Sequence, residues 1–122
     1  MASIELYLWS SCGHDGDGYE SDYMISDDDY SAIVDLIVEH CAGGQLNGSG
    51  FTYDVLQYKL PELYAELETE TTEEIRSSLI ESAEDWFDEE TEECTIEEYI
   101  DNYYSWGFYI SDNFIIEVLA DK

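Results

Sequence analysis

Cations are what this sequence has least of. Lys59, Arg76 and Lys122 stand against 31 Asp and Glu in 122 residues, a net charge of −28. Such a chain is a poor direct ligand for nucleic acid, itself a polyanion, and for an anionic membrane surface. It attracts strongly basic protein surfaces, and the commonest of these is one built to hold DNA or RNA. Cysteine is scarce as well. Cys12, Cys41 and Cys94 are odd in number and lack C-x-x-C spacing, which argues for reduced thiols in a cytoplasm rather than a disulfide framework. No apolar run approaches the roughly 18 residues of a membrane span. The opening "MASIELYLWSS" has neither the basic start nor the apolar stretch of a signal peptide. The expected compartment is the cytoplasm.

Catalytic and metal-binding patterns are equally thin. There is no glycine-rich phosphate loop, and no nucleophile stands beside a base, so the reading is not an enzyme, with no cofactor. "HDGDGYESD" offers Asp15, Asp17, Glu20 and Asp22 to calcium. Counted from Asp15, however, Glu20 stands where the loop needs its glycine and Ser26 where it needs its bidentate glutamate. Cys12, His14, His40 and Cys41 match no common zinc spacing, so no metal site is expected.

What is present is an ample core. The chain is 44% hydrophobic and 15% aromatic, unlike a disordered acidic tail. Residues 1–122 read as a single acidic α+β domain: a small sheet from an N-terminal strand or hairpin and a C-terminal hairpin, packed by three to four central acidic helices. "SIELYLW" alternates, with Ile4, Leu6 and Leu8 on one face. "SSCGHDGDG" reads as a loop and "SDYMI" as a second short strand. Ser26 caps a helix whose apolar face carries Ile33, Val34, Ile37 and Cys41. Pro61 suits the first turn of another helix. Thr71 with Glu74, and Thr95 with Glu98, have the spacing of capping boxes, so separate helices are expected to begin there. Ile75, Leu79, Ala83 and Trp86 are expected inward, and the last helix is expected to stop at Gly107. "FYISDNFIIEVL" reads as the closing hairpin, turning at Ser111, Asp112 and Asn113.

Residues 62–98 hold 16 carboxylates and one arginine. Laid out as helix, that is about 55 Å of contour, or one net charge per ~3.7 Å. A single strand of B-DNA carries one per ~3.4 Å. Glu62, Glu66, Glu70 and Glu74 recur every fourth residue, as do Glu81, Asp85 and Glu89. Each like-charge pair at that spacing costs about 0.2–0.5 kcal/mol on a helix. Selection for solubility alone would mix in lysine. The candidate partner-binding residues are therefore Glu62, Glu66, Glu70, Glu73, Glu74, Glu81, Glu84, Asp85, Asp88, Glu89, Glu90, Glu92, Glu93, Glu97 and Glu98. Two blander readings are a merely solvated acidic face and adaptation to high salt. The aromatic group Tyr99, Tyr103, Tyr104 and Trp106 is open between core and an exposed surface for stacking on arginine or lysine.

Three pieces carry a resemblance to a known family. They are the strand "IELYLW" followed by a glycine-containing loop, "DYMISDDDYSAIVDLI" running into an acidic helix, and the closing "YIDNYYSWGFYISDNFIIEVL". In this order they resemble the ArdA-type antirestriction proteins of phages and plasmids, which mimic DNA. The middle of the chain is shorter and more acidic than in that family. The resemblance carries no catalytic residues and leaves a homodimer open. It implies a stoichiometric inhibitor that occupies the DNA groove of a restriction enzyme or related defence complex. A CRISPR effector is an equally open target, since anti-CRISPR proteins use the same charge logic. The alternative reading is an immunity or antitoxin protein that neutralises a cognate basic nuclease toxin.

Overall fold

The computed structural model describes residues 1–13 and 15–121. His14, weighed above as a zinc ligand, and Lys122 lie outside the described residues. The chain is α+β. Strands β1 (Ala2–Cys12) and β2 (Asp15–Ile25) form an antiparallel hairpin, and β3 (Ser105–Ile110) pairs antiparallel with the other side of β1. The sheet order is β2-β1-β3, so the strand with the cleanest alternation is central.

Burial follows that alternation. Ile4, Leu6 and Leu8 are fully buried. Leu6 lies opposite Ile110, Leu8 opposite Phe108 and Ala2 opposite Ile25, which places the apolar residues of three strands on one face. Against this face pack α1 (Asp27–Cys41), α4 (Pro61–Ala83) and α7 (Asp112–Ala120). Helix α1 supplies Ile33, Ile37 and Cys41, and its N-terminus is capped by Ser26, whose hydroxyl accepts from the Asp29 N–H at 3.1 Å. Between α1 and α4, residues 48–59 form one helical run: α2 (Gly48–Phe51), a π-helical turn (Thr52–Leu56) and α3 (Gln57–Lys59). Two short helices, α5 (Glu89–Glu92) and α6 (Ile96–Tyr103), lead into β3.

The helical run also covers the outer edge of β3. Thr52, fully buried, accepts from the Ile110 N–H and donates to the Gly48 carbonyl, both at 2.8 Å. The Tyr53 hydroxyl donates to the Phe108 carbonyl at 2.7 Å. Side chains thus satisfy backbone groups that an open strand edge would offer to another chain. The approach is close enough to require glycine at position 48, where a Cβ would collide with the Ile110 carbonyl oxygen.

Several sequence expectations are corrected. The C-terminal piece is one strand followed by a helix rather than a hairpin. The Ser111 hydroxyl accepts from the Asn113 N–H and starts α7. A strand there would bury Phe114, Ile116 and Val118; instead Phe114, Ile115 and Val118 are buried and Ile116 is 63% exposed. No new helix begins at Thr71. Helix α4 runs through it, and the buried Thr71 hydroxyl donates back to the Leu67 carbonyl at 2.7 Å. Strand β2 begins at Asp15, inside the stretch read as a loop, because the eleven residues of β1 offer a ladder along their full length. Helix α6 ends at Tyr103, and Gly107 lies within β3. The Thr95 cap stands as expected, with the Glu98 N–H donating to its hydroxyl at 3.2 Å. Among the described residues no helix is long and apolar enough to cross a membrane.

Candidate functional site

Helix α4 is the backbone of the acidic surface. Its 23 residues span about 34 Å. One stripe, Leu63, Leu67, Thr71, Ile75 and Ala83, is buried, and Leu63, Leu67 and Ile75 join the core formed with the sheet. Glu62, Glu66, Glu70, Glu73 and Glu81 are exposed, Glu66 and Glu70 flanking the buried stripe, and exposed Glu84 follows beyond the last turn. Apolar and acidic positions share one helical period but are out of phase. Burying the first turns most of the second toward solvent, with Glu74 the exception.

Two short elements extend the surface. Asp88 opens α5, accepting from the Glu90 N–H and the Thr91 hydroxyl, each at 3.0 Å. These donors, the Thr91 hydroxyl foremost, hold its carboxyl below the usual carboxylate range. Glu89, Glu90 and Glu92 follow in the helix, and Glu93 ends it in the left-handed region at φ 60°. Helix α6 presents Glu97 and Glu98 in its first turn. It is tied to α4 by Arg76, whose Nε and Nη2 donate to the two carboxylate oxygens of Asp101 at 2.8 and 3.1 Å. That two-pronged bond raises the arginine pKa and holds Asp101 below the usual carboxylate range.

Fourteen of the fifteen carboxylates expected to bind a partner are exposed. Glu74 is the exception and is withdrawn from the site. Its two oxygens accept from Tyr19 (2.6 Å) and Tyr23 (2.8 Å) of β2. Partial burial first, then Glu74 itself, pushes the Tyr19 hydroxyl up to about 12 and raises Tyr23 too. Glu74 is thus a structural clamp between helix and sheet. The acidic surface also extends past α4 to α6: Asp15, Asp17, Glu20 and Asp22 on β2, and Asp27, Asp28, Asp35 and Glu39 on α1, are exposed. Residues 62–98 are its densest part, with 16 of the 31 carboxylates.

The aromatics within this acidic region divide. Tyr99 and Tyr103 join Trp86 and Phe87 in one cluster at the α4–α5–α6 junction. Centroids are 5.7 Å apart for Trp86–Tyr99, 5.1 Å for Phe87–Tyr99 and 4.7 Å for Tyr99–Tyr103. Trp86, expected inward, is 53% exposed, and Tyr103 is 60% exposed. The helix stops at Ala83, so Trp86 leaves the buried stripe. Tyr104 is half-buried, and Trp106 packs on the main core.

Sequence reasoning did not single out a cleft of about 600 Å³ between β3 and α4. Trp9 and Trp106 line it with Tyr53 of the π-helical turn and Tyr64 of α4, and Glu68 and Glu73 also contribute from α4. Trp9 lies across Gly107, where a Cβ would come within 2.7 Å of its ring. A glycine between Trp106 and Phe108 in an otherwise bulky strand was the one available signal. Among the described residues no three His, Cys, Asp or Glu side chains converge as a metal site would require. The chain matches no family model, no curated protein and no solved structure.

Proposed function

We propose that this protein is a nucleic-acid mimic that inhibits a bacterial defence nuclease, a restriction enzyme or a CRISPR effector, by occupying its basic DNA- or RNA-binding surface in the host cytoplasm. The observation that carries the reading is the exposed acidic stripe of α4, continued by α5 and α6, with the arginine in this region already held by Asp101. Apart from Glu74, held by its two tyrosines, the carboxylates of residues 62–98 that the sequence singled out are exposed and left to act on a partner. A rigid core behind them supports the reading further. The backbone beneath these side chains is already ordered, so binding costs only side-chain freedom, whereas a disordered acidic tail would have to order its backbone as well. Glu62, Glu66, Glu70, Glu73 and Glu81 stand in for phosphates along α4, and the groups of α5 and α6 extend the row. Long-range attraction of this strength speeds encounter with a basic groove by one to three orders of magnitude at low salt.

Competition tests the reading. A purified restriction enzyme or CRISPR effector is given duplex DNA in the presence of increasing amounts of this protein. The expected result is stoichiometric displacement of the DNA, with affinity for the protein falling steeply between about 50 and 200 mM salt. Binding that leaves the DNA in place, or an affinity flat across that range, overturns it. Capture of a nuclease toxin alone, with defence enzymes untouched, would favour a cognate immunity protein instead.

A further inference from the structure

We propose that the cleft between β3 and α4 is a guanidinium-binding pocket, which takes one arginine side chain of the basic partner. The partner's nature rests on the mimic reading, but capture of a guanidinium by the isolated protein does not. The walls are built from aromatic rings. Trp9 and Trp106 come from adjacent strands, and Tyr53 and Tyr64 from the helices facing them. These walls are held in place. The Trp9 indole N–H donates to the Tyr53 hydroxyl at 3.3 Å, and that hydroxyl donates in turn to the Phe108 carbonyl at 2.7 Å. The Tyr64 ring packs on Phe108 with centroids 5.3 Å apart. Thr69, Thr71 and Thr72 also line the cleft, and Gly107 leaves the room that the Trp9 ring occupies. Carboxylates enter from one side only, as Glu68 and Glu73 on α4.

This combination selects among ligands by chemistry. Anions are rejected by the net charge of the whole chain and by the two glutamates. A neutral apolar ligand would waste the carboxylates. A cation over indole and phenol faces gains cation–π attraction, largest at tryptophan. An ammonium is compact and strongly hydrated. A guanidinium is planar and weakly hydrated. It stacks on the rings while its N–H fork reaches the glutamates.

The three tryptophans make the test site-resolved. Protein labelled with nitrogen-15 shows one indole N–H signal for each of Trp9, Trp86 and Trp106, assigned by single Trp→Phe variants. The probe is N-acetyl-arginine amide at constant ionic strength, with N-acetyl-lysine amide as comparison. The expected result is a saturable shift of the Trp9 and Trp106 signals with Trp86 unmoved, and at least a several-fold weaker response to the lysine amide. Glu68→Gln combined with Glu73→Gln, both at exposed positions, is expected to weaken the arginine response about ten-fold while leaving the fold intact. Equal response to both amides, a shift at Trp86 as large as at Trp9, or no effect of the double variant overturns the pocket. A protein that displaces DNA yet ignores the arginine amide sinks the pocket alone; one that binds the amide yet never competes with DNA sinks the mimic reading alone.

Discussion

Arg76 and Asp101 face each other across the α4–α6 junction, joined by two hydrogen bonds of 2.8 and 3.1 Å. A chain so poor in cations holds this one against its own short helix. Helix α6 has eight residues and one fully buried side chain, Ile100. It is too short to be stable alone, so its position depends on such ties.

Replacing Arg76 by Gln is expected to loosen α6 without unfolding the core. Amide hydrogen exchange over residues 96–103 should accelerate while that of β1 stays slow. Asp101 has its folded-state pKa lowered by Arg76. Its contribution is therefore present above the ordinary carboxylate value and lost as pH falls through the lowered one. Protection of α6 relative to β1, corrected for the intrinsic pH dependence of exchange, should fall in acid, and Arg76→Gln should remove that pH dependence. Uniform exchange across α6 and β1 would refute the tie.

Glu5 gives the opposite pH sign. Its carboxyl is raised, first by the neighbouring Glu20 and then by partial burial, against the pull of the Ser111 hydroxyl that donates to it at 2.6 Å. A raised carboxyl is most favourable to the fold when protonated. That contribution is complete below the ordinary carboxylate value and lost as pH rises through the raised one. Glu5→Gln is expected to raise the melting temperature at pH 7 and to flatten its rise on acidification. A lower melting temperature at pH 7 would show that the Ser111 contact outweighs the repulsion.

The end of α5 carries a strained backbone. Glu93, a residue with a Cβ, occupies the left-handed region at φ 60°. Glu93→Gly should raise stability by about 1 kcal/mol, since glycine adopts this conformation without the steric cost. Chemical denaturation measures it, and Glu93→Gln, which removes the charge but not the strain, separates the two effects. Equal gains in both variants would assign the effect to charge.

The acidic stripe of α4 opposes the fold and, in the proposed function, serves binding. Triple replacement of Glu66, Glu70 and Glu73 by Gln should stabilise the protein by a few tenths of a kcal/mol per pair of carboxylates removed. The same variant should slow association with the target about ten-fold or more at low salt. Added salt should raise the melting temperature of the parent more than that of the variant, because screening acts on the charges that remain. Faster association by the variant would place the contact surface elsewhere.

Local signals were the legible ones. Ser26 and Thr95 start helices because each hydroxyl satisfies a nearby backbone N–H, an interaction between residues three apart. Pro61 sits at the start of α4 because its fixed φ suits a first turn. Thr71 has the same local spacing to Glu74 as Thr95 has to Glu98, yet starts nothing. The difference is that Thr71 continues the buried stripe of Leu63, Leu67 and Ile75, so tertiary packing carries the helix through it. Ser111 misled in the other direction. Serine, aspartate and asparagine suit a hairpin turn and a helix N-terminus alike, and only burial of Ile115 instead of Ile116 decides between them.

The sequence by itself determined the net charge, the alternation that gives β1 one apolar face and the phase that turns all the α4 glutamates but Glu74 toward solvent. Each depends on composition or on neighbours within a few residues. Tertiary structure decided which charges remain available. Glu74 is held by tyrosines 55 and 51 residues away, Asp101 by an arginine 25 residues away, and Glu5 by a serine 106 residues away. It also formed the aromatic cleft, whose walls come from β1, the π-helical turn, α4 and β3. Pairing and enclosure depend on distances in space, and those are set only once the apolar face of the sheet has found its helices.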